Sequence, residues 1–321
     1  MAALPNHSAA AAPPGRRPAG QPVEPLDAFL RDKGLAVIDV TPGVSRGSRR
    51  LLVGEPGSSR ALYAVAVAHG PRAAGALANE EATLRALPDR LRPELAVTVP
   101  EVVGRVAVAP DQDGLVVSGV RRLRPPGEWR TAAATRRLLA AADRWLTALW
   151  QDTAGTPAQV ELGLEASTAL MSRFTDSARF GPPFLAIHRS RRRVAQHEVS
   201  RTLTHGCLCP DHLTAEEEVV VGVDDWGHAS QAGDPLRDLG RFAVRLADRR
   251  LAEVVAGRTS YARTVRRLVA AGLERTALPP QLWRDVLVLA QLELAVESLD
   301  RGDPSAFSLL LTAVRALPGE R

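Results

Sequence analysis

The most constraining feature of this sequence is residues 205–239, where two polar loops flank an apolar strand. The first loop, which we call the histidine loop, reads His-Gly-Cys-Leu-Cys-Pro-Asp-His over residues 205–212. The strand, residues 219–223, is four valines and a glycine, and the second or aspartate loop reads Asp-Asp-Trp-Gly over residues 224–227. Residues 233–239 then read Gly-Asp-Pro-Leu-Arg-Asp-Leu. Binding residues concentrate on loops held by a rigid scaffold, so this order predicts that the two loops form one site.

These three motifs, in this order and spacing, resemble the catalytic region of the aminoglycoside phosphotransferase family, relatives of choline kinases and protein kinases. Members carry His-Gly-Asp-Leu-x-Pro-x-Asn or His, then an apolar strand ending in Asp-Trp or Asp-Phe, then Gly-Asp-Pro-x-x-Asp-Leu. The agreement runs from His205 to Leu239. The resemblance implies an α+β, two-lobed protein-kinase-like fold, with a β-rich N-lobe on the nucleotide side and a helical C-lobe on the acceptor side.

The rest of the sequence divides as that fold implies. Residues 1–24 are rich in Ala and Pro and lack the apolar core of a secretory signal, which predicts a disordered arm. Residues 25–124 are predicted to form the N-lobe, with one helix and five strands. Residues 125–321 are predicted to form the C-lobe, whose first helix begins at a Thr131 cap. The expected strands are residues 35–40, 50–53, 62–67, 97–108 and 115–120, and the expected helix is residues 74–87.

Composition excludes several classes of protein. The chain has 321 residues and is 45% apolar, which is ample for a packed core. Lys33 is the single lysine among 41 basic residues, and the arginines are scattered among acidic residues rather than gathered in the stripe that nucleic acid requires. No apolar run approaches the roughly 18 residues of a membrane span. Two cysteines exclude a disulfide scaffold and favour the reducing cytoplasm.

The resemblance assigns roles to the residues that match the motifs of the family. Asp225 and His212 would hold Mg²⁺ on the phosphates of ATP or GTP, and a loop aspartate would accept the proton of the acceptor hydroxyl. His205 would brace the histidine loop. Asp234 and Asp238 would be structural and would tie the loop backbone to the helical lobe.

The N-lobe carries the predicted nucleotide-binding residues. The turn that contains Gly43, Ser45 and Gly47 would cover the phosphates. In the family a lysine on the third strand grips the phosphates and is itself held by a helix glutamate, a position that Glu80 or Glu81 matches. The sequence therefore predicts a phosphate site between this turn and the aspartate loop.

Two positions depart from the family pattern. Cys207 stands where the proton-accepting aspartate is expected, and a thiol of ordinary pKa is mostly protonated at pH 7. Ala66 stands where the strand lysine is expected, which leaves Arg60 or Arg72 as substitutes and the helix glutamate without its usual partner. Losing both groups predicts an impaired, pseudokinase-like site.

Other interpretations of the same residues stay open. His205, Cys207, Cys209 and His212 are four zinc-type ligands within eight residues, although zinc sites usually space their cysteines differently. Cys207 beside a histidine is also a candidate nucleophile. The basic run at residues 189–193 is expected to form a solvated face or turn, or else a docking surface for an acidic peptide or nucleotide.

Two functions follow from these expectations. The first is a degenerate member of the family that binds a nucleotide, small molecule or peptide between its lobes, with a protein partner in a biosynthetic or peptide-modifying complex. The second is a divergent but active phosphotransferase to a hydroxyl of an antibiotic, sugar or peptide. In the second, Asp211 or Asp224 would replace the missing base.

Overall fold

The N-lobe is built on one antiparallel sheet of five strands. The computed structural model describes residues 23–42, 47–58, 60–110, 112–119, 131–174 and 181–317. The strand order is β1-β2-β3-β5-β4. The strands are β1 Ala36–Pro42, β2 Ser48–Gly54, β3 Tyr63–Ala68, β4 Glu101–Ala109 and β5 Gln112–Ser118. Three helices accompany the sheet: α1 Leu26–Asp32, α2 Pro71–Ala86 and α3 Pro93–Ala96.

The alternation of side chains along the central strands gives the sheet two apolar faces. Val65 and Val67 of β3 face the cluster around Phe29 of α1. Ala64 and Ala66, between them in the sequence, face α2 and the main core. Because successive strand residues point to opposite faces, any residue paired with Ala66 on a neighbouring strand also lies on the α2 side. That face is the one from which a candidate site is built.

The C-lobe is mostly helical and carries three short strand pairs. Its helices are α4 Ala132–Thr153, α5 Leu164–Arg173, α6 Gly181–Ala195, α7 Pro235–Ala247, α8 Leu251–Ala256, α9 Ser260–Arg275, α10 Trp283–Asp300 and α11 Ser305–Arg315. The antiparallel pairs are β6 Pro157–Gln159 with β7 Glu198–Ser200, β8 Thr202–Thr204 with β11 Ser230–Gly233, and β9 Leu213–Glu216 with β10 Val219–Val223. Helix α10 is buried along almost its whole length and forms the centre of this lobe.

The α+β, two-lobed architecture expected from the sequence is confirmed, and so is the Thr131 cap, whose Oγ1 accepts a hydrogen bond from the Ala134 N–H at 3.2 Å. The basic run at residues 189–193 lies within helix α6 rather than in a turn, since arginine is a good helix former. The run of valines at residues 219–223 predicts a buried strand, but β10 is half-buried, because among the described residues it pairs with β9 alone and Val219 is exposed. The boundary predicted at residue 124 and residues 1–22 of the predicted arm lie outside the described residues.

Among the described residues, no helix combines the length and apolar character needed to cross a bilayer.

Candidate active site between the lobes

The backbone of the histidine loop is fixed by a carboxylate from helix α7. Asp238 accepts the His205 N–H at 2.6 Å and the Gly206 N–H at 2.8 Å, and its side chain is fully buried. Gly206 has a φ of +81°, and a Cβ there would lie 2.0 Å from the carbonyl oxygen of His228. Only glycine fits this turn, which brings the histidine loop against the aspartate loop.

Asp234 joins the same helix to a second segment. One of its carboxylate oxygens accepts the Leu236 N–H at 3.0 Å and caps α7. The other accepts the N–H groups of Glu161 and Leu162 at 2.9 and 3.1 Å. Both predicted structural aspartates, Asp234 and Asp238, therefore bind backbone rather than solvent.

The aspartate loop leaves strand β10 through an uncommon backbone conformation. Asp225 has φ 65° and ψ 60°, the left-handed region, which few residues other than glycine and short polar residues adopt. Trp226 behind it is fully buried and donates its indole N–H to the Val223 carbonyl at 2.9 Å. The Trp226 ring packs on the His205 ring at 4.8 Å between centroids and on Trp145 at 6.2 Å. Asp225 is thereby aimed away from the C-lobe core and towards the N-lobe.

The cation that faces the helix glutamate is Arg50 of strand β2. Arg50 is the register partner of Ala66 on β3, so it points to the same face of the sheet. Its Nη2 donates to Glu80 Oε1 at 2.5 Å and lies 3.2 Å from Asp225 Oδ1, and all three residues are buried. Glu80 therefore has a cationic partner, but this partner is an arginine from the neighbouring strand and not the third-strand lysine of the family pattern.

The two substitutes considered from the sequence do not take this role. Arg60 and Arg72 are both exposed, whereas Arg50 is 6% exposed. Glu81, the other candidate glutamate, turns to the outside and pairs with Arg85 and Arg105. Sequence reasoning searched the third strand and its ends and missed Arg50. The available signal was a charged residue two positions before Leu52, and therefore on the same face of the strand as that leucine.

This contact places one guanidinium between two carboxylates, those of Glu80 and Asp225. Burial favours the protonated form of Asp225, but the charge of Arg50, helped by His212, outweighs it and holds the pKa of Asp225 at about 2. Burial opposes the charged form of Arg50 too, but Glu80 and Asp225 raise its pKa above the already high ordinary value. Arg50 therefore stays cationic between two carboxylates. Its Nη1 is buried with no protein partner among the described residues, which leaves one donor nitrogen for an incoming oxygen.

Cys207 occupies the predicted position of the base, but its environment does not suit a base. Its Sγ lies 3.4 Å from His205 Nδ1 and 3.5 Å from the Asp225 carbonyl oxygen. Burial raises the pKa of the thiol to about 11, against a smaller opposite effect of His212. A protonated, buried thiol is a poor nucleophile as well as a poor base, so the burial of Cys207 disfavours a nucleophilic role.

The two histidines of the loop differ in their partners. The Nε2–H of His205 donates to the Asp224 carbonyl at 2.7 Å, and burial lowers the pKa of His205 to about 3, so its ring is neutral. The His212 ring lies 5.5 Å from the His205 ring, centroid to centroid. Its Nδ1 is buried and has no hydrogen-bond partner among the described residues. Both ring nitrogens of His205 therefore have partners, whereas one ring nitrogen of His212 has none among the described residues.

The metal expected from the resemblance does not fit these donors well. Mg²⁺ demands oxygen ligands, and Asp225, the carboxylate assigned to it, is already engaged by Arg50. The second assigned ligand, His212, offers imidazole nitrogen beside two cysteines that interact with it. The donor set is softer than the one that Mg²⁺ selects.

The structure describes some of the remaining predicted residues and not others. Gly47 is described: it has a φ of +83°, and its carbonyl accepts the His69 N–H at 2.6 Å, across the start of strand β2. Gly43 and Ser45 lie outside the described residues. Of the two candidate replacement bases, Asp211 is exposed, whereas the Asp224 carbonyl accepts the His205 Nε2–H and the Asp224 N–H donates to the His212 carbonyl. Burial raises the pKa of the Asp224 carboxyl.

Comparison with known proteins agrees with this architecture. No family model and no curated protein matches the sequence. Among solved structures, a thermostable mutant of aminoglycoside phosphotransferase APH(4)-Ia in a ternary complex with ADP and hygromycin B is similar over 92% of this chain and 99% of its own, with 16% identity and a TM-score of 0.57. The GDP and kanamycin complex of APH(2")-IIia is similar over 87% and 93% of the two chains, with 14% identity and a TM-score of 0.56. The chain therefore has the two-lobed, protein-kinase-like fold of the aminoglycoside phosphotransferases.

Proposed function

We propose that this protein binds a nucleotide between its lobes and is impaired in phosphate transfer, as a pseudokinase-like member of its fold class. The observation that carries the proposal is the buried Arg50 guanidinium. It joins the N-lobe glutamate Glu80 to the C-lobe aspartate Asp225 and keeps one donor nitrogen without a protein partner. A guanidinium is well suited to phosphate because it presents several donors in a planar fork. ATP and GTP are the nucleotides considered, since similar structures are complexes with ADP and GDP.

The impairment rests on the position of Cys207. General-base catalysis is typically worth about 10²–10⁴ in rate, and a buried thiol with a pKa of about 11 supplies little of it at pH 7. Because the donors near Asp225 fit Mg²⁺ poorly, Arg50 and not a bridging metal would bind the phosphates. The nucleotide would then serve as a ligand that holds the lobes together.

The proposal is tested by isothermal titration of the purified protein with ATP and with GTP, in Mg²⁺ and again in excess chelator. We expect micromolar binding whose affinity changes by less than about threefold when Mg²⁺ is removed, because the phosphate contact is made by a side chain. Arg50→Lys should weaken binding by about tenfold, since lysine keeps the charge but offers no fork of donors.

Arg49→Lys is the matched control, because Arg49 is the exposed neighbour on the same strand, and its affinity should equal that of the unaltered protein. Absence of binding up to millimolar nucleotide would overturn the nucleotide proposal. The ligand of the cleft would then have to be sought among small molecules, peptides and protein partners.

A second function, a divergent phosphotransferase to a hydroxyl of an antibiotic, sugar or peptide, is favoured by one observation. Asp224 Oδ1 is buried without a partner among the described residues, and burial raises the pKa of this carboxyl towards the range in which a general base works best. In this function ATP consumption accelerates when a hydroxyl acceptor is added, and Asp224→Asn abolishes the acceleration. Membership of a peptide-modifying complex and a cytoplasmic location are further parts of the proposal.

A further inference from the structure

The centre of the candidate site contains a compact group of nitrogen and sulfur donors. One donor atom from each of His205, Cys207 and His212 lies within 4.8 Å of the other two. His205 is fully buried and Cys207 nearly so, whereas His212 is partly accessible and marks the side from which the group can be reached. Strand β8 ends at Thr204, immediately before His205, and the chain reverses direction at the left-handed Gly206 that follows.

The hydrogen bonds around His205 match those of a metal ligand. Its Nε2–H donates to the Asp224 carbonyl, which fixes the ring so that the lone pair is on Nδ1. That lone pair faces Cys207 Sγ at 3.4 Å. Histidines that bind metals almost always donate their other N–H to a carbonyl or carboxylate in this way, because the bond orients the ring and fixes its tautomer.

A second observation points to the same group independently. His212 Nδ1 is buried and has no hydrogen-bond partner among the described residues. A buried polar nitrogen without a protein partner is unfavourable, and buried polar atoms of this kind usually bind a water or an ion. Within the described protein, therefore, the hydrogen-bonding capacity of this group is incomplete.

We propose that His205, Cys207 and His212 bind a borderline-soft divalent ion of the Zn²⁺ class in place of the Mg²⁺ that the fold suggests. On binding, the Cys207 S–H bond breaks, its proton leaves to solvent, and a sulfur–metal bond forms while both imidazoles coordinate as neutral ligands. Three protein donors leave a fourth position for water or an incoming ligand. This proposal does not depend on nucleotide binding.

The dimensions of the group are compatible with such an ion. Zinc–nitrogen and zinc–sulfur distances of about 2.0–2.3 Å in a tetrahedron place the donors roughly 3.3–3.8 Å apart. The separation of His205 Nδ1 from Cys207 Sγ is already 3.4 Å. The longest separation in the group, at most 4.8 Å, would have to shorten by about 1 Å. Cys209 lies outside the three-donor group and is half-buried.

The test is the metal content of the full-length protein, purified without a histidine tag or chelator, together with titration of metal-free protein by Zn²⁺ and Co²⁺. We expect about one Zn²⁺ per chain and, with Co²⁺, a thiolate-to-metal charge-transfer absorption. Cys207→Ser, which is close to isosteric, should abolish the charge-transfer band, and His212→Ala should weaken Zn²⁺ binding at least tenfold. Circular dichroism of the metal-free variants verifies that they fold.

Two matched controls separate this group from other residues of the same type. Cys209→Ser and His188→Ala, the latter at an exposed position of helix α6, should both retain Zn²⁺ and the Co²⁺ band. The proposal is overturned if unaltered protein binds neither ion at micromolar concentration. It is overturned equally if Cys207→Ser keeps the charge-transfer band or if Cys209→Ser alone removes it.

Discussion

Replacing Arg50 with methionine is expected to lower the free energy of unfolding by about 3–5 kcal/mol, the cost of removing one partner from a buried ion pair. The substitution keeps most of the apolar volume but leaves the carboxylates of Glu80 and Asp225 buried and facing each other. Asp225, whose pKa Arg50 holds down, would lose its main source of charge stabilisation. The measurement is urea unfolding at pH 7, followed by tryptophan fluorescence and circular dichroism.

A second variant tests whether the positive charge at Arg50 can be supplied instead from position 66 on the neighbouring strand. Ala66 is paired with Arg50 across β2 and β3, so a lysine at position 66 projects from the same face. Arg50→Met combined with Ala66→Lys is expected to recover more than half of the lost stability, because it returns a positive charge to Glu80. Arg49→Met should change stability by less than about 0.5 kcal/mol, as expected of an exposed site. A loss below about 1 kcal/mol in Arg50→Met would contradict the structural role assigned to the pair.

The parts of the site that are local in sequence could be predicted from it. Residues 205–239 contain the histidine loop, strand β10, the aspartate loop and the start of helix α7. The spacing of these elements is enough to predict the fold. The contact of Asp238 lies within this run, because it accepts N–H groups of the histidine loop, whereas Asp234 also reaches Glu161 and Leu162 outside the run. The two-lobed architecture follows from the same run together with the change from strand to helix patterns.

The cation of the site could not be predicted in the same way. Arg50 reaches Glu80 only because β2 pairs with β3 in a register that places it beside Ala66. Register depends on which strands become neighbours and on their turn geometry, and the sequence pattern of one strand does not state it. A search confined to the third strand and its ends therefore selected Arg60 and Arg72, both of which are exposed.

The donor group was visible in the sequence but its membership was not. His205, Cys207, Cys209 and His212 form a dense run of zinc-type ligands, and their spacing alone argues against a zinc site. The left-handed turn at Gly206 and the one-turn helix ending at His212 determine which donors converge. The structure selects three of the four, because Cys209 lies outside the group.

Asp238→Ala is expected to destabilise the protein by about 2–6 kcal/mol, because two buried backbone N–H groups lose their acceptor at a cost of about 1–3 kcal/mol each. The two N–H groups belong to His205 and Gly206, so the change acts on the turn that assembles the candidate site. Urea unfolding at pH 7 measures the stability, and Zn²⁺ titration of the folded fraction measures whether the donor group survives. We expect metal affinity to fall together with stability.

Asp238→Asn is the informative partner of that variant. Its amide keeps one carbonyl oxygen for one of the two N–H groups but turns an N–H₂ towards the other, so about half of the loss is expected. Because the shape is retained, no cavity forms, and any remaining loss measures hydrogen bonding rather than packing. If the two variants lose equal free energy of unfolding, the Asp238 carboxylate stabilises the protein through its charge attraction to the nearby Arg241 and Arg237. The two backbone hydrogen bonds would then not be the main source of its effect. A graded loss, with metal binding reduced in the same order, would establish that helix α7 holds the histidine loop in the conformation that brings its donor atoms together.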